Sequence, residues 1–150
     1  MEKQLVVFTL EDEEYGVEIN SVESIIKVQS ITMLPRAPMF IEGVTNLRGM
    51  VIPVINLRKR FGLPQQEHDT NTRIIIASID GVKAGMIVDG VSEVLRLQDD
   101  TIEPPPAIAT TVNSIFITGI AKSDGRLIIM LDLSKVLNQR EQLELQSIAA

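Results

Sequence analysis

Short apolar segments recur along the whole chain, each closed off by Gly, Asp, Asn or Pro, and this pattern predicts strands rather than helices. The segments fall near 4–10, 14–19, 23–29, 42–48 and 50–56, and again near 73–79, 82–88, 92–98, 116–122 and 126–132. The two sets read as copies of one unit. Residues 5–35 align with 74–104 without a gap, placing Gly16 on Gly85, Val22 on Val91, Ile25 on Val94, Ile26 on Leu95 and Pro35 on Pro104. After a longer connection in the second copy, Phe40 meets Phe116, Gly43 meets Gly119, Gly49 meets Gly125 and Leu57 meets Leu133. A repeat of this kind constrains the architecture before any single strand does.

Five short strands per copy predict an all-β fold of two small barrels, each too narrow for a ligand cavity and filled by Val, Ile and Leu. The reading is one domain over 1–150, with a first subdomain at about 4–63 and a second at about 72–133. Terminal elements pack across the subdomains, and the polar stretch 64–71 marks the seam between copies. Asp80-Gly81 and Asp124-Gly125 are hairpin signals, since both residue types tolerate positive φ. Helix is confined to a turn near Leu57–Phe61 and a C-terminal helix at about 134–146, with Ser134 as its N-cap. Pro104-Pro105-Pro106 reads as a stiff loop. Two cores this small stabilise each other by contact, and their shared seam is a natural place for an apolar groove.

Composition sharpens the picture. Ile and Val supply 34 of the 150 residues while aromatics make up 3%, a balance that favours strands. The formal charge of -6 argues against nucleic acid or an anionic membrane surface as a partner. With no Cys, disulfides, thiolate chemistry and Cys-ligated metals are excluded. Met1-Glu2-Lys3 leads into a strand with no signal-peptide h-region, and no apolar run approaches the ~18 residues of a membrane span. The expectation is a cytoplasmic protein without membrane insertion.

The chain offers little for catalysis. His68 is the single histidine and lies in the polar linker, where it reads as a solvated loop residue. Glu11-Asp12-Glu13-Glu14 lacks the spacing of a calcium loop and reads as a charged turn. Arg58-Lys59-Arg60 reads as the charged face of a short helix. No phosphate-cradling glycine loop is present. No enzyme, cofactor or metal is therefore expected; the competing enzyme reading requires carboxylates clustered near the seam.

One departure from turn chemistry points elsewhere. The second copy turns on Lys122-Ser123-Asp124-Gly125, whereas the first has Asn46-Leu47-Arg48-Gly49 at the same place. A Leu and an Arg at a tight turn add little to folding. Two readings stay open: a docking tip, or Leu47 packing on the neighbouring barrel while Arg48 pairs with an acid such as Glu42. Pro53, where the second copy has Ile129, predicts an edge strand or a bulge.

The run Phe40-Ile41-Glu42-Gly43-Val44-Thr45-Asn46-Leu47-Arg48-Gly49-Met50-Val51-Ile52-Pro53-Val54-Ile55-Asn56-Leu57-Arg58 resembles the signature of the CheW family of bacterial chemotaxis coupling proteins. So do Val6–Leu10 with Glu13–Val17, Val88–Leu95, and Arg126–Ile129. The resemblance implies two SH3-like five-stranded barrels and a non-enzymatic adaptor that joins chemoreceptor (methyl-accepting chemotaxis protein) hairpin tips to the regulatory domain of the histidine kinase CheA. Such a protein works in a two-component signalling system and is recruited to membrane-associated receptor arrays. A CheW-like paralogue serving another receptor–kinase pathway, such as surface motility, is the alternative. Carried over position by position, the resemblance implies receptor binding by Val22, Ile25, Gly43 and Arg48, with Val91, Val94 and Leu95 as further groove residues. Asn46, Leu47, Gly49 and Pro53 belong to the signature. The family often has Glu where this chain has Ser24, so Arg48 is expected to find another partner, Glu23 or Glu42.

Overall fold

The computed structural model describes residues 2–79, 81–105, 116–137 and 141. Eleven strands follow in order: β1 (Glu2–Leu10), β2 (Glu13–Glu18), β3 (Val22–Lys27), β4 (Ile41–Leu47), β5 (Met50–Asn56), β6 (Arg73–Ile79), β7 (Val82–Val88), β8 (Gly90–Gln98), β9 (Ile102–Glu103), β10 (Ile117–Ser123) and β11 (Arg126–Leu131). A one-turn helix, α1 (Leu57–Arg60), follows β5, and the Asn56 side chain caps it by accepting from the Lys59 N–H. The fold is all-β, as expected.

The strands form two sheets, β8-β1-β2-β11-β10-β9 (barrel A) and β3-β6-β7-β5-β4 (barrel B). Each sheet draws strands from both copies. The first hairpin of copy one, β1–β2, completes barrel A, and its counterpart β6–β7 completes barrel B. The sheet boundary therefore differs from the repeat boundary at 64–71. Copies that share one pairing pattern can exchange equivalent hairpins without losing a ladder, as in domain swapping. The chain crosses between barrels at Ile19–Ser21 and again at the single residue Asp89.

Each sheet also turns back on itself. Thr32, beyond β3, bridges Val44 on β4, and β9, beyond β8, pairs with β10. At both closures the backbones come close beside a glycine. A Cβ on Gly43 would stand 2.2 Å from the Thr32 carbonyl oxygen, and one on Gly119 would stand 2.9 Å from that of Glu103. The repeated Gly16 and Gly85 have a different reason: they face barrel interiors, where a Cβ on Gly85 would meet Ile74 Cγ2 at 2.6 Å. Gly43, Gly85 and Gly119 thus mark places with no room for a Cβ, and at Gly16 the fit would be tight, 3.1 Å from Ile128 Cγ2.

Alternate residues of β1 and β6 serve two cores. Leu5 and Val7 fill barrel A, whereas Val6, Phe8 and Leu10 face the other barrel; Ile74 and Ile76 fill barrel B, whereas Ile75, Ala77 and Ile79 face back. This double burial explains the continuous apolar runs in these strands. The cluster between the barrels is the largest of the three. Phe8, Tyr15, Phe61 and Phe116 form a chain of ring contacts through it. The expected apolar groove at the seam is therefore occupied by the protein's own side chains.

Pro53 lies on an interior strand, not an edge. β5 pairs with β4 along its length but with β7 only over Val54–Asn56, so Pro53 sits where no ladder on the β7 side needs its N–H. At the C-terminus a 3-10 turn spans Leu133–Lys135, and Asp132, not Ser134, is its cap: the Asp132 side chain accepts from the Ser134 N–H. Of the expected helix at 134–146, residues 138–140 and 142–146 lie outside the described residues, as do Asp80 and Pro106.

Candidate functional site

The turn joining β4 to β5 holds the least comfortable exposed residue of the signature. Arg48 has φ of 53° and Gly49 has φ of 85°, the pattern of a two-residue turn matched to strand twist. The equivalent turn in barrel A places Asp124 and Gly125 at 49° and 80°. Asp tolerates this region, while Arg occupies it at a cost of roughly 1–2 kcal/mol. The Asn46 side chain steadies the turn by accepting from the Gly49 N–H at 2.9 Å. Leu47 points into the core of its own barrel, not the neighbouring one.

Arg48 itself is exposed and has no side-chain partner among the described residues. The acids expected to hold it are engaged elsewhere: Glu42 with Lys59 at 3.2 Å and Glu23 with Lys83 at 3.0 Å. The two readings of the turn thus separate, with Leu47 structural and Arg48 free for an outside partner.

The other candidates lie on β3 and β8, the terminal strands of the two sheet orders. These strands are repeat equivalents, and their candidates divide into three layers. Val22 and Val91 pack on the inter-barrel core. Ile25 and Val94 face outward, 38% and 53% exposed. Leu95 turns into the barrel A core, as its equivalent Ile26 does in barrel B. Both strands also carry a bulge near their start, at Glu23 and Ser92, which discourages edge-to-edge pairing. Gly43 contributes space for the closure of barrel B, so its place in the signature has a structural cause.

Further apolar side chains are exposed in the signature and on the connection that leads into it. Met33 and Met39 are 80% and 84% exposed on the β3–β4 connection, and Met50 and Val51 are exposed at the start of β5. Leu127 is exposed at the barrel A position equivalent to Val51. Periodicity could not have singled these out, because exposure of the outer barrel face depends on which strands exchange.

The polar residues gather in a cleft of about 670 Å³, lined by both barrels and the linker. At its wall lies Arg58, 7% exposed, which the sequence placed on a solvated helix face. Its Nε and Nη2 donate to the two carboxylate oxygens of Asp89, Nη1 donates to Glu11 and to the Pro64 carbonyl, and Nη2 also donates to Gln66. All five guanidinium donors are used. Burial alone would raise the Asp89 pKa, but bonds from Arg58 and the Glu11 N–H, with the Arg58 charge, bring it below the usual carboxylate value. Glu42 is lowered in the same manner: burial opposes, while Asn56, Lys59 and His68 outweigh it. His68 lines the cleft and is exposed. Among the described residues no group of three His, Asp or Glu is arranged to hold a metal ion, and no helix is long and apolar enough to cross a membrane.

Residues 4–141 match the CheW-like domain family. The chain is similar to the chemotaxis protein CheW of Klebsiella aerogenes, 36% identical over 147 residues and covering 98% of this chain and 89% of that protein. It is also similar to protein FrzA of Myxococcus xanthus, 29% identical over 143 residues, 94% of this chain and 89% of that protein. The crystal structure of the scaffolding protein TtCheW from Thermoanaerobacter tengcongensis superposes with a TM-score of 0.86 at 45% identity, covering 94% of this chain and 96% of that one.

Proposed function

The chain belongs to the CheW-like domain family, and from that premise we propose that it is a non-enzymatic chemotaxis scaffold coupling chemoreceptor cytoplasmic tips to the histidine kinase CheA. The observation that carries this reading is the exposure of Ile25 and Val94, outward-facing apolar residues at equivalent places on β3 and β8, together with an exposed Arg48 that meets no acid among the described residues. Exposed apolar side chains and an exposed guanidinium are the chemistry that suits an amphipathic helix with acidic flanks, which is the surface a helical hairpin presents.

In this account Ile25, Arg48 and Val94 touch the receptor, while Val22 and Val91 support them from beneath. Gly43 and Leu95 hold the framework. Coupling requires no bond to be made or broken; it requires receptor and kinase to be held in a geometry where the state of one biases the other. Weak individual contacts suffice in an array, because local concentration multiplies them. Recruitment to membrane-bound receptors follows from that contact and needs no anchor on this chain.

The test is reconstitution of a receptor cytoplasmic fragment, CheA and this chain, followed by kinase activity. Activity that responds to the receptor only when this chain is present supports the proposal; activity indifferent to the chain refutes it. A second reading, an adaptor for a different receptor–kinase pathway, is favoured by the similarity to FrzA, a relative not named for chemotaxis. The identity of the kinase that co-purifies separates the two.

A further inference from the structure

The chain passes from barrel B to barrel A through one residue, Asp89, between the end of β7 at Val88 and the start of β8 at Gly90. A single-residue crossing leaves no slack: its placement fixes where β8 begins. Arg58 binds both oxygens of Asp89 from α1 and ties the same point to the β1–β2 turn through Glu11 and to the linker through Pro64 and Gln66. The Glu11 N–H donates to Asp89 at 2.9 Å, and the Asp89 N–H donates to the Thr9 carbonyl at 3.0 Å. The guanidinium therefore joins its own helix and the linker that follows to two segments distant in sequence.

The other crossing provides an internal comparison. At the positions equivalent to Arg58 and Asp89 stand Ser134 and the exposed Asn20, both uncharged. The apolar core between the barrels is non-directional and serves both crossings. The directional hub around Arg58 is built at the Asp89 crossing.

We propose that Arg58 is a positioning residue that fixes the crossing at Asp89 and thereby holds the β8 edge, with Val91 and Val94, in register against β1. Its consequence for receptor docking rests on the adaptor reading; the positioning itself does not.

The test is residue-resolved amide hydrogen exchange on the free, full-length chain and its Arg58→Met, Arg58→Lys and Asp89→Asn variants. In Arg58→Met the amides of residues 91–95 lose protection by roughly ten-fold, while the equivalent β3 amides, residues 22–26, stay within about two-fold of wild type. Arg58→Lys keeps the charge but offers three donors for five acceptors, so it gives a smaller loss confined to the same edge. Equal loss on both edges makes Arg58 a general stabiliser and overturns the proposal, as does an unchanged β8 edge. Should Arg58→Met fail to fold, Arg58→Lys and Asp89→Asn carry the same comparison. Because exchange is read without partners, this result and the reconstitution result can fail independently.

Discussion

Thr32 and Val44 exchange two backbone hydrogen bonds, 2.8 and 2.9 Å, and close barrel B between the end of the β3 segment and β4. Gly43 makes this closure possible, since a Cβ there would collide with the Thr32 carbonyl and with Ile31. The obstacle is backbone, which cannot rotate away. Gly43→Ala is expected to destabilise the protein by about 1–3 kcal/mol, as overpacking does. Denaturant unfolding measures this, and any loss of receptor binding in the variant follows from the altered barrel.

Arg48 separates folding from binding. Its φ of 53° favours glycine, so Arg48→Gly is expected to leave stability unchanged or raise it by about 0.5–1 kcal/mol. Arg48→Glu is expected to keep the melting temperature near wild type while weakening sedimentation with a receptor fragment. Circular dichroism melts beside the binding assay check both.

Val22 and Val94 come from the same list of candidates yet should behave differently. Val22 packs against the inter-barrel core, so Val22→Asp places a charge beside apolar neighbours and is expected to cost about 2 kcal/mol or more. Val94 is 53% exposed, so Val94→Asp is expected to change stability by no more than about 0.5 kcal/mol while reducing receptor binding. Unfolding curves of the two variants, measured together, decide this.

Asp89 gives a prediction in pH. Its folded pKa lies below the unfolded value of about 3.9, so the group binds fewer protons folded than unfolded in that range, and its ionised form adds stability that is fully present above the unfolded value. The contribution is lost as pH falls through the folded pKa. Asp89→Asn should start less stable at pH 7, by about 2 kcal/mol with Arg58 left underpaired, and should lose less on acidification. Glu42, also lowered, keeps part of the acid limb in both proteins. Melting temperatures from pH 7 to pH 3 test the sign.

Strand positions were legible because the repeat supplied each element twice, and β5, β6 and β7 fall where the pattern placed them. The exchange of β1–β2 with β6–β7 was not legible, because equivalent hairpins have equivalent pairing faces and either assignment satisfies the apolar pattern. Arg58 was misread for a related reason. Charge in a short helix ordinarily means solvent, and only the fold brings Asp89 and Glu11, distant in sequence, to its head group. Comparison with Ser134 in the second copy was the available signal. Arg48 was legible as an oddity, and Asn46 and Leu47 beside it are accounted for by the turn and the core.

The most direct test of the adaptor account is a chemical-shift map of the labelled chain titrated with an unlabelled receptor hairpin fragment. The account predicts that the largest shifts gather at Ile25, Arg48 and Val94, with smaller ones at Val22 and Val91 beneath them. Shifts centred on the Arg58 cleft, or no shifts at saturating hairpin, would contradict it.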